Sequence, residues 1–216
     1  MINFKQLPMF SVGAFSVVLE DINIEEIETI LNKIKYQKIE VGLFTSMDNA
    51  CSISRDNNIF KTHKKLNRLK LEILKAVSIY NEQFMGYKKT KFEITSSWST
   101  KTNTKESSLV HFHANNMYSA VYYNKVNNNM GKLLFHNFAT SSYELEIDKY
   151  TPYNSKSYLI KPENMTLIIF PSHLYHSILK NNIDNEEIRY SIACNIHPVG
   201  DYGYNDSSIK ELNFTK

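Results

Sequence analysis

The sequence predicts an α+β fold, namely a double-stranded β-helix (jelly roll) with N-terminal helices backing one sheet. Two observations lead to this prediction. Helical periodicity is confined to the residues before about position 90, and short apolar segments separated by turn signals follow it. Helices followed by many short, evenly spaced strands are typical of α+β proteins in which helices cover an antiparallel sandwich or barrel.

The chain has 216 residues, which fits one domain with a sizeable core. We divide it into a mainly helical part (1–89), a jelly-roll core (90–204) and a tail (205–216). No apolar run is long enough to cross a bilayer, and the first residues lack the pattern of a signal peptide. Cys51 and Cys194 lie far apart in sequence and are expected to be reduced thiols in the cytoplasm. The net charge of +3 does not indicate nucleic-acid binding.

Two segments before residue 90 have the periodicity of amphipathic helices. In the first, Asn23 and Glu26 have the spacing of a capping box. The second, residues 63–86, ends at Gly86, which suits the left-handed conformation that often follows a helix. The apolar stripes that define the two helices are Ile24, Ile27, Leu31 and Ile34, and Leu66, Leu69, Ile73, Val77, Tyr80 and Phe84.

Short strands are predicted after residue 90, bounded by Asn-rich or Pro-containing turns. The predicted segments are 90–100, 117–124, 131–138, 156–161, 165–170, 176–180 and 188–197.

His111 and His113 form an HxH pair just before the strand-like segment 117–124. Residues i and i+2 of an extended segment point to the same face, so both imidazoles can reach a single ion. An HxH pair alone is weak evidence, because two polar residues often share a strand face.

Two more histidines follow the apolar segment 165–170. His176 begins a new strand after a turn and can face the HxH pair, because strands that lie far apart in sequence are neighbours in a jelly roll. His173 lies in the turn itself and is the poorer candidate.

Arg189 and Ser191 share one face of the strand-like segment 188–197. An arginine on an inward face is costly unless an anion meets it. A carboxylate bound by the guanidinium, with a hydrogen bond from Ser191, would remove that cost. The alternative is an outward-facing arginine in a surface ion pair.

Histidines beside an arginine that needs a carboxylate suggest non-haem iron chemistry. Fe(II) in such sites has three protein ligands on one face and three open positions. A 2-oxo acid can occupy two of these positions while its distal carboxylate reaches Arg189, which leaves one position for dioxygen.

The order of the blocks "HFHANNMYSAVYY" and "FPSHLYHSILKNN…RYSIACNI" resembles the 2-oxoglutarate/Fe(II)-dependent oxygenase superfamily, and in particular the oxygenases of this type found in tailed phages and some bacteria. The match runs from Trp98 to about Gly203. It implies a cytoplasmic dioxygenase (in the host cell, if phage-encoded) that uses Fe(II), 2-oxoglutarate and O2 to hydroxylate an unidentified prime substrate, with release of succinate and CO2.

The resemblance also implies roles for individual residues. His111 matches the proximal metal histidine and His176 the distal one. Arg189 and Ser191 match the Arg-x-Ser pair that binds the distal carboxylate of 2-oxoglutarate. Tyr123 matches a position that often donates a hydrogen bond to this co-substrate.

The sequence departs from the family at one metal ligand. The usual proximal motif is HxD or HxE, and here the third position is His113. One interpretation is an all-histidine face of His111, His113 and His176, which we favour. The other makes His113 the proximal ligand, with Asn115 or water in place of the acid. Glu144, Glu146 or Asp148 are further sources of a carboxylate.

Two other functions remain open from the sequence. A cupin-like metal protein also begins its motif with HxH, but the Glu that cupins place a few residues later is missing, since Met117 and its neighbours occupy those positions. A non-catalytic phage β-sandwich module with vestigial histidines is the third possibility.

Overall fold

The computed structural model describes residues 12–39, 49–127, 129–138, 145–181 and 187–214. Within these residues, three α-helices occupy Ile24–Leu31 (α1), Ile59–Thr62 (α2) and Asn67–Ile79 (α3). The strands are Phe15–Val18 (β1), Tyr36–Lys38 (β2), Ser52–Ser54 (β3), Lys91–Thr102 (β4), Tyr118–Tyr123 (β5), Leu133–His136 (β6), Ser157–Ile160 (β7), Thr166–Pro171 (β8), His176–Ile178 (β9), Arg189–Tyr202 (β10) and Ile209–Leu212 (β11).

These strands form two antiparallel sheets. The large sheet has eight strands in the order β1-β8-β5-β10-β4-β3-β2, with β11 paired to β10. The small sheet has three strands in the order β7-β6-β9. Every segment predicted to be a strand overlaps one of β4 to β10, and the structure is therefore a sheet-rich α+β protein, as predicted.

The helices contribute side chains to the same core as the large sheet. Ile27 of α1, together with Leu69 and Ile73 of α3, belongs to a buried cluster that also contains Ile192 and Ile196 of β10. The opposite face of β10 therefore points away from the helices, toward the space between the two sheets.

The first helix begins as the sequence predicts. The side chain of Asn23 accepts a hydrogen bond from the backbone N–H of Glu26 at 3.1 Å. This bond satisfies one of the free donors at the helix N-terminus.

The second helical segment is less regular than predicted. A 3₁₀ turn (Lys64–Leu66) precedes α3, and a π-helical turn (Tyr80–Phe84) follows it. The wider π turn breaks the 3.6-residue repeat, so Phe84 is 58% exposed rather than part of the buried stripe. Gly86 has the expected positive φ of 69°.

Four strands were not predicted. β1, β2 and β3 lie in the part of the chain expected to be mainly helical, and they extend both edges of the large sheet. β11 lies in the segment expected to be a tail, and the carboxylate of Asp201 accepts a hydrogen bond from the N–H of Glu211 beside it. These strands are three or four residues long, too short for a clear period-2 pattern.

None of the helices in the described ranges combines the length and the apolar composition that crossing a bilayer requires.

Candidate active site

His111 and His176 lie side by side on adjacent backbone segments. The N–H of His111 donates to the carbonyl oxygen of His176 at 2.9 Å, and the N–H of His176 donates back to His111 at 2.8 Å. Residues paired in this way project their side chains to the same face. His113 is fixed next to them by a hydrogen bond from its N–H to the carbonyl oxygen of Ser172 at 2.9 Å.

The side chains of the three histidines converge. One ring nitrogen from each of His111, His113 and His176 lies within 4.8 Å of the other two. Because a metal–imidazole bond is about 2 Å long, small side-chain rotations suffice to bring all three nitrogens onto one ion. Three imidazole nitrogens this close together form a donor set that fits a divalent transition metal.

Two of the rings are held in the tautomer that metal binding needs. The Nδ1–H of His111 donates to the carbonyl oxygen of Leu109 at 2.8 Å, and the Nδ1–H of His176 donates to that of Leu174 at 2.8 Å. A carbonyl oxygen only accepts, so the hydrogen is on Nδ1 and the lone pair is on Nε2. Backbone partners of this kind orient the ligands of metal sites.

The surroundings keep the inner two histidines neutral. Burial lowers the pKa of His113 to about 4, and the nearby His111 adds to the shift. Burial also lowers the pKa of His176 to about 3, again with a contribution from His111. The ring of His113 lies against Trp98, with 5.3 Å between the ring centroids. Both imidazoles are therefore available as ligands at neutral pH.

Arg189 is the largest fully buried side chain that the structure describes, at 0% exposure. Nε and both terminal nitrogens of its guanidinium have no hydrogen-bond partner among the described residues. A buried cation without hydrogen bonds is strongly unfavourable. The guanidinium carbon lies 4.8 Å from the ring centroid of Tyr123, a cation–π contact that offsets only part of this cost.

Two residues next to Arg189 carry buried hydroxyls, namely Thr102 and Tyr123. Thr102 of β4 lies directly opposite Arg189 of β10, so both side chains point to the same face of the sheet. The Thr102 Oγ1 and the Tyr123 hydroxyl are buried and have no hydrogen-bond partner among the described residues. Burial raises the pKa of Tyr123, although Arg189 opposes the shift, so the hydroxyl keeps its proton as a donor.

The histidines and this polar pocket belong to one region. A cavity of about 500 Å³ is lined by all three histidines, by Tyr123 and by Ser191. Arg189 does not line this cavity itself, but its guanidinium contacts the ring of Tyr123, which does. The hydroxyls of Ser191 and Thr100 are hydrogen-bonded to each other.

The structure separates the other histidines and acids from this cluster. His173 is exposed in its turn, and His136 bonds through Nε2 to the Ser177 hydroxyl at 2.9 Å. Asn115 is exposed in the turn after His113, with a φ of 60°. Glu146 and Asp148 are exposed, and no carboxylate of the described residues joins the three histidines. Glu144 lies outside the described residues.

Sequence reasoning did not single out Thr100 and Thr102 as site residues. Trp98 and Thr100 line the cavity, and Thr102 continues the same face of β4. The alternation in "WSTKT" was visible, but only the register with β10 reveals which face is the inner one.

One protein-family model matches the chain, over a range that contains every one of these site residues. Residues 96–195 match the model described as "Putative 2OG-Fe(II) oxygenase". No curated protein sequence matches the chain.

Several solved structures have a similar fold. An oxidoreductase of the 2OG-Fe(II) oxygenase family from Burkholderia pseudomallei has a TM-score of 0.58 at 11% identity, with 84% of each chain covered. HygX from Streptomyces hygroscopicus, with nickel, 2-oxoglutarate and hygromycin B bound, has a TM-score of 0.57 at 11% identity, covering 87% of this chain and 83% of that one. A prolyl hydroxylase from Trichoplax adhaerens has a TM-score of 0.58 at 11% identity, with coverages of 87% and 84%.

At such low identity, the solved structures show a shared fold, and the family match carries the assignment. Fe(II) and 2-oxoglutarate are the cofactor and co-substrate of that family. Residues 96–195 of this chain therefore match the 2-oxoglutarate/Fe(II)-dependent oxygenase family.

Proposed function

We propose that the chain is a dioxygenase that hydroxylates an unidentified prime substrate, with His111, His113 and His176 as the metal ligands. Arg189, Ser191 and Tyr123 bind the co-substrate. The observation that carries this proposal is that three convergent imidazoles line a cavity together with Tyr123, and that the fully buried guanidinium of Arg189 lies against the Tyr123 ring without a hydrogen-bond partner among the described residues. Bound Fe(II) with 2-oxoglutarate supplies the activation of dioxygen, with succinate and CO2 as co-products.

The histidines hold the metal through an uncharged donor set. His111 and His176 present Nε2 lone pairs because their Nδ1–H groups are already bonded to backbone carbonyls. Since no carboxylate of the described residues joins the set, the negative charge at the metal comes from the dicarboxylate co-substrate. We therefore expect the metal and 2-oxoglutarate to bind with strong positive coupling.

Arg189 and its neighbours hold the distal carboxylate of the co-substrate. The guanidinium offers a planar fork of donors that matches a carboxylate. Thr102 Oγ1 and the Tyr123 hydroxyl, both buried without partners, add two more donors on the same side. A carboxylate bound here would accept two parallel hydrogen bonds from the guanidinium and further ones from the hydroxyls, which would offset much of the cost of their burial.

The rest of the proposal concerns the whole chain. We take residues 1–216 as one jelly-roll domain in which the helices back the large sheet, because the helices and β10 share one buried cluster. We place the protein in the cytoplasm, where its two free thiols, Cys51 and Cys194, stay reduced.

Succinate formation tests the proposal. The protein is incubated aerobically with Fe(II), ascorbate and 2-oxoglutarate, with and without a panel of candidate substrates. Succinate should form, and Arg189→Met should abolish it. The matched control is Arg68→Met, which removes an exposed arginine of α3. Equal succinate from wild type and Arg189→Met would refute the assigned role of Arg189.

A further inference from the structure

The cavity has an apolar wall beside the residues assigned to the metal and co-substrate. We propose that the prime substrate presents an uncharged hydrocarbon group to the metal, held against this wall. The inference rests on the proposed function, which it deepens by naming a substrate class. The wall consists of Ile39, Ile53, Trp98, Leu109 and Val110.

The wall faces the same interior as the proposed site. Ile53 of β3 is paired with Thr100 of β4, so the two side chains share a face. Trp98 lies two residues from Thr100 on that face and contacts His113. Leu109 and Val110 directly precede His111 and are 41% and 45% exposed. Apolar side chains thus extend from the metal ligands to the solvent-exposed edge of the cavity.

The hydroxyls of Ser108 and Thr100 along this wall each have one partner. The Ser108 Oγ accepts a hydrogen bond from the N–H of Ile178 at 2.7 Å, and the Thr100 hydroxyl is bonded to that of Ser191. No Asp, Glu, Lys or Arg is among the described residues that line the cavity. A charged group placed here would lose its hydration and gain no oppositely charged partner, whereas a hydrocarbon group would be stabilised by leaving water.

The cavity has room for a second small group. Its volume of about 500 Å³ lies within the range that holds drug-sized ligands. 2-Oxoglutarate, a five-carbon dicarboxylate, is smaller than such ligands. A substrate group can therefore lie along the wall while the co-substrate lies between the histidines and Arg189.

Trp98 provides the readout, because it is the only tryptophan of the chain. The protein is loaded anaerobically with Fe(II) and saturating 2-oxoglutarate, and binding of both is verified first by isothermal titration calorimetry. Its fluorescence is then titrated with cyclohexanol, cyclohexylammonium and cyclohexanecarboxylate, which are similar in size and do not absorb where Trp98 emits. We expect cyclohexanol to bind at least about tenfold more tightly than either charged probe.

A charge introduced into the wall tests the same idea independently. Ile53→Glu should reverse the preference in favour of cyclohexylammonium, whereas the matched control Ile53→Gln should weaken cyclohexanol without favouring the cation. Circular dichroism checks that both variants fold, and the wild-type titrations decide the question if they do not. Amides of N-acetyl-leucine and N-acetyl-lysine repeat the comparison for a group carried on a peptide.

The outcomes separate the two proposals. Failure of Fe(II) and 2-oxoglutarate to bind would overturn the proposed function, and this inference with it. If Fe(II) and 2-oxoglutarate both bind, but a charged probe binds as tightly as cyclohexanol or more tightly, only the proposed hydrocarbon substrate is overturned.

Discussion

Nε2 of His113 lies 3.3 Å from Nε2 of His176, although 63 residues separate the two histidines in sequence. Burial lowers the pKa of both rings, so both imidazoles are uncharged at neutral pH, each with one N–H. Because Nδ1–H of His176 is bonded to Leu174, its Nε2 carries a lone pair, which either accepts a hydrogen bond from Nε2–H of His113 or, with the other His113 tautomer, faces a second lone pair. The proposed metal site uses the second tautomer, with both Nε2 lone pairs available to one ion.

Replacing a ligand histidine should remove the metal. We expect His113→Ala and His176→Ala to weaken Fe(II) or Co(II) binding by more than about 100-fold, beyond the loss that follows removal of an outer-sphere partner. Isothermal titration calorimetry under anaerobic conditions measures the affinity. His173→Ala is the matched control, because His173 is exposed in the turn before β9. Comparable losses in all three variants would show that the effect is not specific to the cluster.

Removing the buried guanidinium should stabilise the ligand-free protein but abolish its binding of 2-oxoglutarate. Arg189→Met fills a similar volume without charge, so we expect the free energy of unfolding of the ligand-free protein to rise by about 1–4 kcal/mol. The same variant should lose 2-oxoglutarate binding, because methionine lacks the N–H donors of the guanidinium. Urea denaturation and calorimetry measure the two effects. A destabilised variant would mean that Arg189 has a partner in the ligand-free protein.

Thr102 should contribute to co-substrate affinity through its hydroxyl alone. Thr102→Val keeps the β-branched shape, and one lost hydrogen bond to a carboxylate should weaken 2-oxoglutarate binding about tenfold. Thr102→Ser should restore most of the affinity, and metal binding without 2-oxoglutarate should not change. Unaltered co-substrate affinity in the valine variant would exclude Thr102 from the carboxylate site.

Glu106 should stabilise the fold in a pH-dependent way. Its side chain is 10% exposed and bonds to the Lys38 ammonium and to the N–H of Asn103. Burial alone would raise the pKa of Glu106, but the bonds to Asn103 and Lys38 outweigh it and lower the pKa. This stabilisation is complete above the unfolded pKa of about 4.3 and is lost as the pH falls through the lower folded value.

We therefore expect Glu106→Gln to lower the free energy of unfolding by about 1 kcal/mol at neutral pH. The difference from wild type should shrink as the pH falls below about 4. Glu163→Gln, at an exposed position, is the control. Denaturation curves over the pH range would contradict the assignment if the difference persisted in acid.

Local patterns in the sequence predicted much of the site. Alternation along an extended segment placed His111 beside His113 and Arg189 beside Ser191, because the side-chain period of a strand is two residues. The position of Thr102 depends instead on the register between β4 and β10, which joins residues far apart in sequence. Neither its unpaired hydroxyl nor the apolar wall around Ile53 follows from a local pattern. The third metal ligand remains a prediction, since the sequence departs from the family motif at His113.

Anaerobic titration of the apoprotein with Fe(II) in the presence of 2-oxoglutarate tests the central claim most directly. The visible charge-transfer absorption of an Fe(II)–2-oxo acid complex should appear and saturate at one iron per chain. It should be absent without 2-oxoglutarate, and absent in the variants His113→Ala and Arg189→Met. No absorption in wild type, or an undiminished band in His113→Ala, would contradict a metal site built from three histidines beside Arg189.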